Sequence, residues 1–340
     1  MSYQPIENYG IIGNMRTVAL VGMNGSIDWY CYPHFDSPSI FGAILDDNQG
    51  GRFQICPVGD QVRHKQFYWP STNILITRFL LPDGIAELED FMPVGLPSDS
   101  PWYQHLYRRI RCVRGAVRIS LICRPAFDYG RKSHETVLDD QGALFDSGSL
   151  SIVLSAAVPL TQDGQGGVAA EFTLEEGKSQ VFILRDHGAT ETVPCSPTEG
   201  EAEELFQNTV KFWRKWLSAC TYQGRWQEQV HRSALALKLL TFDPTGAIIA
   251  PELPGGNAWR RVFQANKAKR EHLAILDLLN VCNGAVALTK VDRVAPSRVG
   301  EVQGEIAALL TGTTLEGAPI IPVSAMTGEG IPALKQHLIW

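Results

Sequence analysis

The chain has 340 residues, 30 Lys and Arg against 36 Asp and Glu, and 44% hydrophobic with 19% charged residues. These proportions describe an ordinary globular chain long enough for two cores and exclude a disordered or fibrous one. A net charge of −6 argues against nucleic acid as a partner, and no run approaches the roughly 18 consecutive apolar residues of a membrane helix.

The opening Met-Ser-Tyr-Gln-Pro-Ile-Glu lacks a basic segment followed by an apolar one, so a secretory leader is not expected. Cys31, Cys56, Cys112, Cys123, Cys195, Cys220 and Cys282 are scattered and odd in number, as reduced thiols of a cytoplasmic protein are. The 8 histidines are dispersed without metal-ligand spacing, and no cofactor or metal is expected.

From the N-terminus to about residue 195 the pattern is β. Val18-Ala-Leu-Val21 and Ser26-Ile-Asp-Trp29 flank Asn24-Gly25, a pair that predicts a type I′ hairpin. Asn73 to Leu81, Leu106 to Cys112, Ser151 to Val158 and Gln180 to Leu184 predict further strands, parted by turn signals at Leu81-Pro-Asp-Gly84 and Thr161-Gln-Asp-Gly-Gln-Gly-Gly167. Val117, Ile119, Leu121 and Cys123 alternate with Arg118, Ser120 and Arg124, the period of a half-buried strand. Many strands without intervening helices predict an antiparallel sandwich.

The period then becomes helical. Phe206, Val210, Trp213 and Leu217 share one face of a helix that runs to about Ala219. A second helix starts near Arg225, with Trp226, Val230, Ala234 and Leu237 on one face, and Asp243-Pro-Thr-Gly246 stops it. After Pro251-Glu-Leu-Pro-Gly-Gly256 the order reads helix (269–279), apolar strand (285–289), helix (297–310), strand (320–323) and helix (330–338). That alternation predicts a parallel α/β sheet.

The N-terminal motifs are long and contiguous: Pro5-Ile-Glu-Asn-Tyr-Gly-Ile-Ile-Gly-Asn14, Arg16-Thr-Val-Ala-Leu-Val-Gly22, Asn24-Gly-Ser-Ile-Asp-Trp29, Phe35-Asp-Ser-Pro-Ser-Ile-Phe41 and Gly50-Gly-Arg-Phe53. They continue in Tyr222-Gln-Gly-Arg-Trp226, Arg232 to Phe242 and Pro244 to Ala250. Residues 3 to 250 thereby resemble the glycoside hydrolase family 15 proteins, the bacterial glucoamylase and trehalase-like group. The resemblance implies a β-super-sandwich over 1–196 and, over 197–250, a helical linker with the first helix of an (α/α)6 barrel. It also implies an α-glucoside or glycan ligand. The family continues with Asn-Trp-Asp-Tyr-Arg and Trp-Leu-Arg-Asp, where this chain has Gly255-Gly-Asn-Ala-Trp-Arg-Arg-Val-Phe263. Its catalytic glutamates lie on later barrel helices, so no catalytic residue carries over. The expectation is a truncated glycosidase, inactive alone.

Arg270 to Leu279, Gly284-Ala-Val-Ala-Leu-Thr-Lys-Val-Asp292, Leu315 to Ala325 and Thr327-Gly-Glu-Gly330 are similar to the selenocysteine-specific translation elongation factors. After a junction at 251–267, residues 268–340 thus resemble the back half of a G domain. In a Thr-Lys-x-Asp motif, Thr289, Lys290 and Asp292 would read guanine, the Asp292 carboxylate accepting from the base, and the Ser324-Ala325 backbone would donate to the guanine carbonyl. No Gly-x-x-x-x-Gly-Lys-Ser/Thr loop is present to cradle phosphates, so guanine nucleotide is expected to bind weakly at best. A join of two reading frames with no selected function is the third alternative.

Asp28, Trp29, Phe35 and Asp36 are the candidate sugar-cleft residues, since aromatic faces stack on pyranose rings and carboxylates grip hydroxyls. The bland alternative, which the β context favours, is a packed core with an aspartate capping a turn. Trp213 and Trp216 are expected in the core, and Glu87, Glu89 and Asp90 on a solvated face. Apolar faces at 226–242 and 285–289 are expected to drive self-association.

Overall fold

The computed structural model describes residues 3–97, 100, 105–187, 199–244, 247–248, 284–288, 291–324 and 327–338. Two compact units are present, residues 1–214 and 215–340.

The first unit is an antiparallel sandwich. One sheet is built from β1 (Tyr9–Gly13), β2 (Val18–Gly22), β3 (Ser26–Cys31), β4 (Ser39–Phe41) and β5 (Arg52–Pro57). The other contains β6 (Arg63–Tyr68), β7 (Leu75–Leu80) and β8 (Gly84–Phe91). The 19-residue β9 (Leu106–Arg124) belongs to both. Its first half lies between β8 and β15 (Ser179–Asp186), its second between β5 and β14 (Val168–Glu175). β10 (Glu135–Asp139), β11 (Gly142–Asp146) and β12 (Ser151–Ala156) extend the second sheet past β15, and β13 (Thr161–Gln162) pairs with β14.

The crossing of β9 from sheet to sheet has a local cause. Ala86 pairs with Cys112 but Ile85 with Arg114, so Val113 is an extra, bulged residue. Gly115 follows at φ 73, where a Cβ would stand 2.2 Å from the Asp83 carbonyl oxygen. Only glycine fits that bend.

Alternating residues of both sheets meet in one core, among them Phe53, Ile55, Ile119 and Leu121 with Phe79, Leu88, Leu154 and Phe182. A strut of charge crosses it. Arg108 is fully buried, with Nε 2.7 Å from the equally buried Asp90 and Nη2 2.7 Å from the Gly25 carbonyl. Its guanidinium lies 4.7 Å from the Phe53 ring centroid.

The outer face of the second sheet is closed by α1 (Glu199–Leu217), whose Ala202, Phe206 and Val210 pack on Ile74, Ile76, Phe91, Tyr107 and Ile183. The predicted helical face is the one buried, and Trp213 is in the core while Trp216 is half-buried. Arg109 pins the helix, pairing with Glu89 of β8 at 2.5 Å and with Glu203 of α1 at 2.6 Å.

Three expectations are corrected here. Glu87, Glu89 and Asp90 are 8%, 1% and 0% exposed, not solvated. Register sets Glu87 opposite Arg111, Glu89 opposite Arg109 and Asp90 opposite Arg108; Glu89 pairs with Arg109 and Arg111 and Asp90 with Arg108 on β9, while Glu87 pairs with Arg78 of β7. The β2–β3 turn is not type I′: Gly25 N–H bonds to the Gly22 carbonyl at 2.9 Å, and Gly25, at φ 75, is its one left-handed residue. That is a type I turn with a left-handed glycine closing it. Trp226, expected on the buried helical face, is 55% exposed because it precedes the helix as its cap.

In the second unit, α2 (Gln227–Leu239) buries Ala234, Leu235, Leu237 and Leu239 and leads into a small antiparallel pair, β16 (Thr241–Phe242) with β17 (Ala247–Ile248). β18 (Val286–Leu288) pairs in parallel with β19 (Ile320–Pro322), joined through α3 (Pro296–Leu310), and α4 (Ile331–Leu338) follows. These elements match the expected alternation; the helix read at 269–279 lies outside the described residues. Among the described residues no helix is long and apolar enough to cross a membrane.

Candidate functional site

β3 carries two of the four candidate sugar-cleft residues, and a bulge decides where they go. Val21 pairs with Ile27 but Leu20 with Trp29, so Asp28 is the extra residue. Ile27, Tyr30 and Tyr32 belong to the inter-sheet core. Simple alternation from Ile27 would send Trp29 and Cys31 there as well. The bulge reverses the parity and turns those two onto the opposite face, a re-aiming that bulges commonly provide beside functional sites.

Asp28 is separated from Trp29 by the same device. Its carboxylate accepts from the Tyr9 hydroxyl at 2.7 Å and from the Ser26 hydroxyl at 2.5 Å. Burial, reinforced by that bond to Asp28, pushes the Tyr9 phenol up. Asp28 therefore ties β1 to β3 with both oxygens engaged.

Trp29 meets a residue that the sequence reading did not single out. Tyr129 lies with its ring centroid 6.2 Å from that of Trp29, inclined at 40°. It is held by three successive left-handed residues, Asp128 at φ 53, Tyr129 at φ 59 and Gly130 at φ 78. Two non-glycine residues in that region cost about 1–3 kcal/mol each and persist only where the surroundings impose them. Arg131 fastens the turn, its Nη2 2.8 Å from Asp128 and its guanidinium 5.3 Å from the Tyr129 ring centroid. The available signal was Asp128-Tyr129-Gly130 itself, where Asp and Gly, both tolerant of left-handed backbone, bracket an aromatic.

Asp36 acts on the strand through Cys31. Burial, and then the charge of Asp36, pushes the Cys31 thiol up to about 12. Burial followed by Cys31 raises the Tyr129 phenol. Asp36 is exposed and Phe35 half-buried on the 32–38 loop, which is tied down by the Phe35 N–H to the Arg16 carbonyl at 2.9 Å. Trp29, Tyr129, Asp128 and Arg131 thus form one small neighbourhood; Phe35 and Asp36 stay on the 32–38 loop, and Asp28 is turned away. Its chemistry is an aromatic step edged by a carboxylate and a guanidinium, groups able to pack an apolar ring face and to bond hydroxyls.

In the second unit, parallel pairing brings the segments that follow β18 and β19 to one end of the pair, with Val323 N–H 2.8 Å from the Leu288 carbonyl. Asp292 is exposed there, in the short 3-10 turn Val291–Arg293. Ser324 is fully buried. Its N–H already donates to the Glu329 carbonyl at 2.9 Å, and its hydroxyl accepts from Thr327 N–H at 3.2 Å. Thr289, Lys290 and Ala325 lie outside the described residues. Among the described residues no group of three or more His, Cys, Asp or Glu is arranged to hold a metal ion.

Comparison with known proteins gives two unequal likenesses. The family described as "Trehalase-like, N-terminal" matches residues 1–211. A trehalase of Thermoplasma volcanium is 35% identical over 269 residues, covering 75% of this chain and 41% of that protein. One of Mycolicibacterium smegmatis is 32% identical over 282 residues, covering 75% and 42%. The chain spans about two fifths of the length of these relatives. A selenocysteine-specific elongation factor of Desulfomicrobium baculatum is 49% identical, but over 69 residues, 20% of this chain and 11% of that protein. With well over half of its residues matched, the chain belongs to the trehalase-like N-terminal family.

Proposed function

We propose that this polypeptide is the sandwich portion of an α-glucoside hydrolase of the glycoside hydrolase family 15 group, with trehalose or an α-glucan as its substrate class. The observation that carries the reading is the family match across residues 1–211. The aromatic step at Trp29 and Tyr129 supports a part in glycosyl recognition.

Inverting hydrolysis needs one carboxylic acid and one carboxylate roughly 6.5–9.5 Å apart, free to protonate the leaving oxygen and to activate water. The buried carboxylates of the sandwich are otherwise engaged: Asp28 by Tyr9 and Ser26, Glu89 by Arg109 and Arg111, Asp90 by Arg108. The resemblance to family 15 places the chemistry on barrel helices outside the sandwich. Incubated with trehalose, maltose or soluble starch, the 340-residue polypeptide is expected to bind sugar and release no glucose. Release at enzyme-like rates would overturn this reading.

A second reading rests on the 49% identity to an elongation factor over 69 residues and on the parallel β18–β19 pair. It makes the C-terminal segment a reader of the guanine base through Thr289, Lys290 and Asp292. Calorimetric titration with GDP tests it: submicromolar affinity supports a nucleotide-binding role, and no heat at millimolar nucleotide removes it.

A further inference from the structure

We propose that Tyr129, backed by Trp29 and flanked by Arg131 and Asp128, forms a glucosyl-binding subsite on the sandwich, with Tyr129 as its stacking platform and specificity residue. The inference rests on the functional reading above and assigns that reading a place.

Two independent distortions converge on one spot. The β3 bulge takes Trp29 out of the inter-sheet core, where strand alternation would have placed it. The 128–130 turn holds Tyr129 over that indole in a backbone conformation that tyrosine rarely adopts. Trp29 and Tyr129 meet outside the inter-sheet core, which Ile27, Tyr30 and Tyr32 fill without them. Backbone irregularities that the core does not require are found where a side chain is being aimed at a ligand.

The chemistry of the neighbourhood selects the ligand. A half-buried phenol ring presents an apolar face whose rear is the nearly buried indole, 8% exposed. Arg131, 68% exposed at its side chain, is held over the ring by bonds from Nε and Nη2 to Asp128, which leaves Nη1 to donate to hydroxyls. The adjacent Asp128 carboxylate, partly exposed, offers acceptors. An apolar ring face ringed by hydroxyls is a pyranose. A phosphate or carboxylate ligand would have to compete with Asp128 for the one cation.

The test is ligand-observed saturation-transfer NMR on the full chain with trehalose and maltose, with cellobiose as the β-linked control, each titrated to an affinity. Wild type is expected to bind the α-linked sugars. Tyr129→Asn keeps a residue that accepts left-handed backbone but removes the ring. It should weaken binding about tenfold, the scale of one aromatic contact, without lowering the melting temperature. Tyr129→Phe should bind as wild type does, which a merely structural loss would not reproduce. Arg131→Ala, at an exposed side chain, should weaken binding severalfold and secures the test if the Asn variant fails to fold. Undiminished binding by Tyr129→Asn and by Arg131→Ala would overturn this subsite while leaving the functional reading intact. No binding of either α-linked sugar by wild type would overturn both.

Discussion

The two units treat charge in opposite ways. The sandwich closes a wide core between its own sheets and carries ionised groups into it, Arg108 and Asp90 among them, each with a partner. The C-terminal unit has a parallel pair of three-residue strands, and Ala287, in the middle of one of them, is exposed. Its ion pairs among the described residues, Arg298 with Glu301 and Glu305, stand in water. An antiparallel sandwich makes a low-dielectric interior on its own, whereas a parallel pair depends on elements covering both faces. Charge is therefore structural in the first region and decorative in the second.

The sharpest way to break the comparison is Asp90→Ala. Burial raises the Asp90 carboxyl, and the Arg108 charge, reinforced by its hydrogen bond, opposes that. Removing Asp90 leaves a fully buried guanidinium with the carbonyls of Gly25 and Phe53 and the Phe53 ring in place of its anion. Losing one partner of such a pair costs about 3–5 kcal/mol. Urea unfolding followed on the sandwich transition should show that loss, and the joint change Asp90→Leu with Arg108→Met should recover most of it. A single variant within about 1 kcal/mol of wild type would mean that water reaches the guanidinium.

Next in size is a pH effect from one buried imidazole. His105 is 7% exposed, and burial, aided by the Arg185 charge, lowers it to about 3. The folded sandwich therefore holds His105 neutral, while the unfolded chain takes up a proton near 6.5. Stability is unaffected above that pH and falls as the pH drops from 6.5 toward 3, by up to about 1.4 kcal/mol per pH unit. His105→Gln should flatten that part of the profile. A profile identical in slope to wild type would place the titration in other groups.

Much of the sandwich was legible. Val117, Ile119, Leu121 and Cys123 are all buried, as their alternation requires, and the Phe206, Val210, Trp213 and Leu217 stripe is the face that α1 buries. Both signals are local periodicities. What failed depended on partners distant in sequence. Glu87-Leu-Glu-Asp90 reads as solvated until β8 is laid against β9, when Arg108, Arg109 and Arg111 fall opposite it in register. The candidate site divides likewise. Trp29 could be named from motif and residue type, but a one-residue bulge, invisible in composition, reverses which face β3 presents and removes Asp28 from the patch. Tyr129, about a hundred positions from Trp29, was recognisable only as an aromatic inside a turn signal.

The smallest expected effect belongs to the other side of the comparison. Arg298 sits in the first turn of α3, 2.8 Å from Glu301 and 3.1 Å from Glu305, with all three side chains more than half exposed. Its bonds to Glu301 and Glu305 raise its already high pKa, so it stays charged at every working pH. In water the attraction is screened, and holding long side chains in place offsets what remains. A cation at a helix start also opposes the dipole, which cancels part of the benefit. Arg298→Ala should leave the thermal transition of the C-terminal unit unchanged, in low salt and high salt alike. A fall in that transition that high salt abolishes would show that this unit depends on its surface charges, and the division between structural and decorative ion pairs would no longer follow the division between the two regions.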